Sequence, residues 1–334
     1  MNRIVQKPRV VSGMRPTGRL HVGHLVGALR NWAGLQERYD CFYFVADWHA
    51  LTSEYANTGS ITANALDNVA DWIAAGVDPD RSTIFVQSLV PEHAELSLLL
   101  SMVVPIPWLE RVPTYKEQQE QLTDKDLSTL GFLGYPLLQT ADIAMYDGRF
   151  VPVGEDQVAH LELSREAIRR FHQFYGEVLV EPQPLLTSVP RLPGIDNRKM
   201  SKSYGNTIDL ADDAETVVKK VRQMYTDPKR IRADIPGTVE GHPVFMYHDA
   251  FNTDAAEVED LKTRYRAGKV GDVEVKTKLA RALNATLEPL RERRREVMAR
   301  PDHVRQILVD GSRKAREVAQ VTMERVRDAV RLRY

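Results

Sequence analysis

The chain has 334 residues, 43% of them hydrophobic and 27% charged, which is the composition of a globular protein of about two domains. Its single cysteine, Cys41, excludes an internal disulfide and any cysteine-clustered zinc or iron–sulfur site. The formal net charge of -1 hides an asymmetry: residues 1–260 carry 25 Lys/Arg against 36 Asp/Glu, and residues 261–334 carry 20 against 10. The C-terminal excess of +10 suits contact with a polyanion, although a solvated basic helical face would carry the same charge. The most apolar stretch, residues 96–109, is too short to cross a bilayer and contains two prolines. Residues 1–7 lack the apolar core of an export signal, so a reducing, cytoplasmic setting without a membrane is expected.

Taken in order, Arg9-Val10-Val11-Ser12-Gly13 is a short apolar run closed by glycine, and a helical pattern follows to about Arg38. Cys41 to Ala46 is continuously apolar, as in a strand buried on both faces. A helical segment from Ile61 to Ala75 leads to a third strand, Thr83 to Gln87. Strand, helix, strand, helix, strand implies right-handed crossovers and a parallel, Rossmann-like α/β sheet, whose ligands bind beyond the carboxyl ends of the strands. Gly13, His21, His24, Asp47, His49 and Gln87 should collect there. Residues 105–134 interrupt the sheet pattern with Pro105, Pro107 and a polar, helix-prone stretch, and read as a helical insertion. The spacing then predicts a helix that brings Tyr135, Gln139 and Asp142 to one face, a phenol, an amide and a carboxylate suited to gripping an amino acid. Val151 to Gln157 reads as a short strand opening into a glycine turn. Beyond about Thr207 the chain is rich in helical spacing and arginine, so we divide it into a catalytic domain, 1–206, and an α-helical domain, 207–334.

Two elements carry phosphate chemistry. His21-Val22-Gly23-His24 stands where a helix begins, and residues three apart share a face there. Gly23 has no Cβ, and a helix start offers unpaired N–H groups to an anion. Lys199-Met200-Ser201-Lys202-Ser203 lies in a polar loop whose two lysines and interleaved serines can collect phosphate oxygens.

Together, H-V-G-H and K-M-S-K-S closely resemble the paired signatures of class I aminoacyl-tRNA synthetases. The strings Ser12 to Gly18 and Val151 to Gln157 are similar to those of the bacterial tryptophanyl branch. The resemblance spans nearly the whole chain and is weakest in motifs in its C-terminal third. It implies ATP with Mg²⁺, L-tryptophan and tRNA(Trp) as ligands, no protein-bound metal, and a homodimer whose C-terminal region reads the anticodon. By matching positions, it implies that His21, His24, Lys199 and Lys202 are catalytic. Arg15, Pro16, Thr17, Gly23, Gly154, Glu155, Asp156, Leu192, Met200, Ser201 and Ser203 would complete the ATP site. Val11, Gly13, His49, Tyr135, Gln139, Asp142, Val151, Val153 and Gln157 would hold tryptophan. Two positions depart from the pattern: Arg15 replaces a glutamine common in relatives, and Gln118 stands where a basic partner of Lys116 is usual. Arg291-Glu292-Arg293-Arg294-Arg295 is the stretch expected, on charge, to meet tRNA phosphate.

Tyrosyl-tRNA synthetases are the main alternative, since Tyr135-x-x-x-Gln139-x-x-Asp142 is an arrangement they use. They add a tyrosine hydroxyl at the position held here by Val11, to serve the substrate phenol. An indole N–H only donates, and Asp142 alone would satisfy it. Small-molecule nucleotidyltransferases share H-x-G-H but lack K-M-S-K-S. A non-catalytic paralogue would be expected to have lost one of the four histidines and lysines.

Overall fold

A computed structural model describes residues 7–112, 127–186 and 191–334, without the side chains of Asp156 and Ser203. Lys116 and Gln118, with residues 113–126 of the expected insertion, lie outside the described residues. Five strands, β1 (Arg9–Met14), β2 (Asp40–Val45), β3 (Ser82–Val86), β4 (Phe150–Val153) and β5 (Gln183–Leu186), form one sheet in the order β3-β2-β1-β4-β5. Every pairing is parallel, with Val11 beside Phe42, Phe42 beside Thr83 and Val151 beside Pro184. The described helices are, in chain order, α1 (Val22–His24), continued by a π-helical turn (Leu25–Leu29) into α2 (Arg30–Leu35), then α3 (Asp47–Glu54), α4 (Ile61–Ala74), α5 (Glu92–Ser101), α6 (Ile106–Glu110), α7 (Leu130–Ala144) and α8 (Val158–Tyr175). The C-terminal set is α9 (Ala214–Arg222), α10 (Pro243–Phe251), α11 (Ala255–Arg266), α12 (Asp272–Met298) and α13 (Pro301–Ala329).

Contacts between residues divide the chain into two compact units: Met1–Gly18 with Asn31–Ser188 and Arg300–Tyr334, and Arg19–Arg30 with Val189–Ala299. Packing therefore groups residues differently from a cut at 206/207. The first unit contains the sheet, the second the H-x-G-H turn, the lysine loop and α9 to α12.

In the sheet unit, strand alternation sorts the aromatics. Tyr43 points to one face, where it stacks on Trp32 at 4.4 Å with Trp72 edge-on to Trp32. Phe42 and Phe44 point to the other, where Phe42 stacks on Tyr146 and both pack against Phe85. Both faces are covered, which is why β2 reads as an unbroken apolar run. The chain runs β1, β2, β3 towards one edge and then crosses to β4 and β5, so the direction reverses between β1 and β4. Crevices at such reversals are where doubly wound sheets take ligands.

The edge strand β3 is covered by α13. Gly311 lies so close that a Cβ would stand 1.8 Å from the Ile84 carbonyl oxygen. Its neighbour Ser312 accepts from the Val86 N–H at 3.1 Å, which satisfies one of the edge donors. Arg316, Arg327 and Arg325 pair with Glu92, Glu95 and Asp147. Part of the C-terminal positive charge is thus matched by acidic residues of the same unit.

In the second unit, Lys276 on α12 caps the end of α9: its ammonium donates to the Met224 carbonyl at 2.6 Å and to Thr226 Oγ1 at 2.7 Å. Buried Arg230 pairs with Asp272 at 2.7 Å and sits over the Tyr265 ring at 4.0 Å, fixing the turn before α10.

Candidate active site

At the carboxyl ends of the sheet strands stand Gly13 of β1, Asp47 and His49 at the start of α3, and Gln87 just after β3. Asp47 accepts from the Ser88 N–H at 3.1 Å and from the Ser88 hydroxyl, tying the end of β2 to the end of β3. Tyr135, Gln139 and Asp142 fall on α7 at the expected spacing. Tyr135 lies between the His49 ring, edge-on at 6.4 Å, and the His160 ring, stacked at 5.9 Å.

Asp142 is the centre of this set. It is 1% exposed, and both its oxygens are engaged. Oδ2 meets His49 Nε2 at 2.7 Å, while Oδ1 meets Gln87 Nε2 at 2.7 Å and His93 Nδ1 at 2.6 Å. Burial by itself would raise the carboxyl pKa, but the hydrogen bonds from His49 and His93 outweigh it and bring it down to about 2. Since an ionised carboxylate only accepts, His49 donates from Nε2 and His93 from Nδ1. His93 Nε2 lies 2.6 Å from the Tyr146 hydroxyl, a phenol that burial holds well above its ordinary pKa. Three of about four acceptor positions on Asp142 are filled, leaving one on Oδ2. Asp142 thus lies in a hydrogen-bonded network with His49, Gln87, His93 and Tyr146. His93 was missed because a single histidine on an apolar helix reads as core, and no local pattern ties it to residues 49 and 142.

Val11 is wholly buried, against Gly148, within the apolar core rather than exposed as a wall. Val151 and Val153 pack with Ile143 and Leu161 in a small cluster beside α7. Gly154, Glu155 and Gln157 form the short turn that opens α8, with the Gln157 N–H on the Gly154 carbonyl at 3.0 Å. Arg15 is exposed, and Pro16 buried, in the turn after β1, where Glu54 and Tyr135 lie within electrostatic reach of the guanidinium. Thr17 leads to Gly18, whose φ of 115° strongly favours glycine.

The phosphate signatures come together within the second unit. Leu20 and Val22 are tied to the segment after the lysine loop by the Leu210 N–H on the Leu20 carbonyl and the Val22 N–H on the Ile208 carbonyl, both at 2.9 Å. One first-turn donor of the helix start is therefore used internally. The His21 and His24 rings lie 3.8 Å apart, and the His21 backbone N–H donates to His24 Nδ1 at 3.1 Å. Neutral His24 must then carry its proton on Nε2. Burial, aided by the Lys202 charge, lowers the His21 pKa to about 4, and burial with His21 and Lys202 keeps His24 well below the ordinary histidine range. Both rings are neutral donors near pH 7. Gly23 is not bare: a Cβ there would stand 2.9 Å from the His21 ring and 3.1 Å from the Met200 sulfur, so K-M-S-K-S already touches H-V-G-H. Lys199 is exposed, Met200, Ser201 and Lys202 are half-buried, and Leu192 is buried.

The arginine-rich run on α12 is uneven. Arg291 is packed, donating to Asn284 Oδ1 at 2.7 Å and pairing with Glu288 at 3.1 Å, whereas the Arg295 side chain is 70% exposed.

A parallel sheet reversing between β1 and β4, a buried carboxylate at its ligand-binding end, and a histidine turn against a lysine loop coincide with a sequence match over residues 5–288 to the family model of class I tRNA synthetases (W and Y). The chain belongs to this family of aminoacyl-tRNA synthetases. Within it, the chain is 50% identical to the tryptophan–tRNA ligase of Thermotoga maritima, over 98% of this chain and 100% of that one. It is 44% identical to the tryptophan–tRNA ligase of Aquifex aeolicus, over 97% and 100%. A crystal structure of tryptophanyl-tRNA synthetase from Campylobacter jejuni, complexed with ADP and tryptophan, superposes with a TM-score of 0.85 at 32% identity, covering 96% of this chain and 99% of that one.

Proposed function

We propose that the chain is a tryptophan–tRNA ligase: it activates L-tryptophan with ATP and transfers it to tRNA(Trp). A tryptophan carboxylate oxygen forms a bond to the α-phosphorus, the bond from that phosphorus to the bridging oxygen breaks, and pyrophosphate leaves. A ribose hydroxyl at the tRNA 3′ end then attacks the acyl carbon and releases AMP. No protein nucleophile is needed, so the chain contributes position and charge.

The observation that carries the tryptophan assignment is Asp142, a buried ionised acceptor with one open position. An indole N–H donates once and asks for nothing back. A phenol would donate to Asp142 and leave its own acceptor unpaired, costing about 1–3 kcal/mol, because Val11 supplies no hydroxyl. Tyr135, Gln139, His49 and Gln157 are assigned to the substrate amino group and pocket wall, with Gly13, Val151 and Val153 beside the ring. Neutral His21 and His24 donate to phosphate oxygens. Lys199 and Lys202 follow the charge that builds on pyrophosphate, with Met200, Ser201 and Ser203 shaping their loop. Arg15, Pro16 and Thr17 reach the triphosphate, while Gly23, Gly154, Glu155, Asp156 and Leu192 border the nucleoside. Mg²⁺ enters with ATP as part of the substrate and shares the triphosphate charge with the lysines.

Residues 207–334 are assigned to anticodon recognition, with a homodimer in the cytoplasm as the working form. ATP–pyrophosphate exchange measured with each of the twenty amino acids tests the assignment. Exchange driven by tryptophan is expected, and robust exchange with tyrosine would overturn it.

A further inference from the structure

The loop bearing Lys199 and Lys202 takes its shape from one buried amide. Asn206 is 1% exposed, and its side chain makes three hydrogen bonds. Oδ1 accepts from the Ser201 N–H at 2.8 Å, and Nδ2 donates to the Lys199 carbonyl at 3.1 Å and to Asp196 Oδ1 at 2.8 Å. A backbone N–H only donates, and a carbonyl or carboxylate only accepts, so this amide has a single satisfied orientation. The Asn206 main-chain carbonyl also accepts from the Ile195 N–H at 2.9 Å. Gly194 makes room for the group: a Cβ there would stand 2.2 Å from Nδ2.

The two ends of the loop are shaped locally. Gly194 donates to the Arg198 carbonyl at 2.8 Å around Asn197, whose φ is 65°, and Gly205 turns the chain at the far end with a φ of 62°. Between the turns, Lys199 pairs with Pro193 in an antiparallel bridge, and Asn206 adds side-chain ties to the Lys199 carbonyl and the Ser201 N–H, the residues on either side of Met200. Met200 is the residue whose sulfur lies against Gly23 of the histidine turn.

We propose that Asn206 is a positioning residue for adenylate formation, holding residues 199–201 so that both lysines and the histidine pair engage one triphosphate. This rests on the ligase reading above. It concerns the chemical step and leaves tryptophan binding alone, because its contacts are confined to the phosphate loop. Asp196 is the second member of the device, since it fixes the outer edge of the amide while pairing with Arg198 at 2.6 Å.

The test is steady-state ATP–pyrophosphate exchange on the purified full chain, with tryptophan binding measured separately at equilibrium. N206A should lower kcat about 10- to 100-fold, the range expected when a reacting group is misplaced by about 1 Å, with the tryptophan dissociation constant within twofold of the unmodified protein. N206D should be worse, because a carboxylate would face both Asp196 and the Lys199 carbonyl. The pair D196N/N206D restores a donor opposite residue 206 and keeps the Ser201 contact, while the Lys199 carbonyl stays against a carboxylate and the Arg198 N–H loses its acceptor Oδ1. It should recover at least fivefold over N206D, with D196N alone as the baseline for the missing Arg198 pairing. If N206A does not fold, the comparison of N206D with the pair decides. A kcat within twofold of normal in N206A, a tryptophan affinity that falls in step with kcat, or no recovery in the pair would overturn the proposal. Absence of tryptophan-dependent exchange in the unmodified protein would instead overturn the ligase reading.

Discussion

The Asp142 cluster of the sheet unit and the histidine turn of the other unit treat charge in opposite ways. At Asp142 the protein buries a carboxylate and keeps it ionised by surrounding it with His49, Gln87 and His93. In the other unit it buries imidazoles and keeps them neutral: burial lowers the pKa of His21, His24, His242 and His248 alike. The difference matches the roles proposed for the two sets. A fixed acceptor that selects one side chain gains from permanent charge in a rigid shell, because donors already in place need not reorganise when the ligand arrives. Phosphate groups bring their own charge, so neutral N–H donors and lysines on a loop serve a reaction in which that charge moves.

The largest break in this comparison should come from the lysines. In the double variant Lys199→Ala with Lys202→Ala, pyrophosphate exchange should fall by about 10³-fold or more, at roughly 2.7–4 kcal/mol for each donor to developing charge that is removed. Tryptophan binding, measured by equilibrium titration, should persist, and surviving turnover would show that the loop has been misassigned.

Next in size is a purely structural change. Gly311→Ala places a methyl group on the Ile84 carbonyl, where two backbones meet and neither can yield cheaply. A loss of about 2–3 kcal/mol, or roughly 5–10 °C in melting temperature, is expected. The affinity for ATP should change little, because neither Gly311 nor Ile84 is among the residues assigned to it. Calorimetry showing an unaltered melt would mean that α13 does not press on β3.

A smaller effect separates the units by pH. His21 titrates near 4 in the folded chain and near 6.5 when unfolded, so between those values the unfolded chain binds more protons. Stability contributed by neutral His21 is complete above about 6.5 and is lost as pH falls towards 4. The Asp142 contribution is lost only below the ordinary carboxyl range, on the way to about 2. Urea midpoints measured from pH 7 to pH 4 should decline, and His21→Gln should flatten that decline. Parallel curves for the two proteins would contradict the neutral-imidazole account.

The smallest effect expected is at the tRNA surface. Exchange of Arg293 and Arg295 for glutamine should weaken tRNA binding and reduce its salt slope by about one for each phosphate no longer neutralised, with pyrophosphate exchange intact. Arg291 is left out because its side chain is only 10% exposed, against 70% for Arg295. An unchanged salt slope would retire this stretch as a phosphate-binding surface.

The legible parts of the molecule are those written in local pattern. β2 shows itself in the apolar run from Cys41 to Ala46, α7 by the spacing of Tyr135, Gln139 and Asp142, and the phosphate set by two short motifs. β5 escaped because its four residues include Pro184 and are half-exposed or exposed, so nothing in them spells a strand. The packing of α13 on β3 escaped for a different reason. An amphipathic helix announces that it has a buried face, but not which surface covers it, and so the basic C-terminal stretch read as polyanion-binding before Arg316, Arg325 and Arg327 were seen to pair within the chain. The network around Asp142 draws on residues 49, 87 and 93, brought together only by the crossovers of the sheet.

The measurement closest to the central claim is the ratio of kcat/KM for tryptophan to that for tyrosine in pyrophosphate exchange, compared between the unmodified chain and Asp142→Ala. If the buried carboxylate selects the donor-only side chain, the unmodified protein favours tryptophan by well over tenfold and the variant loses most of that preference, chiefly through a higher KM for tryptophan. An unchanged ratio in Asp142→Ala would contradict the account, because selection would then rest on groups other than the acceptor that the histidines hold in place.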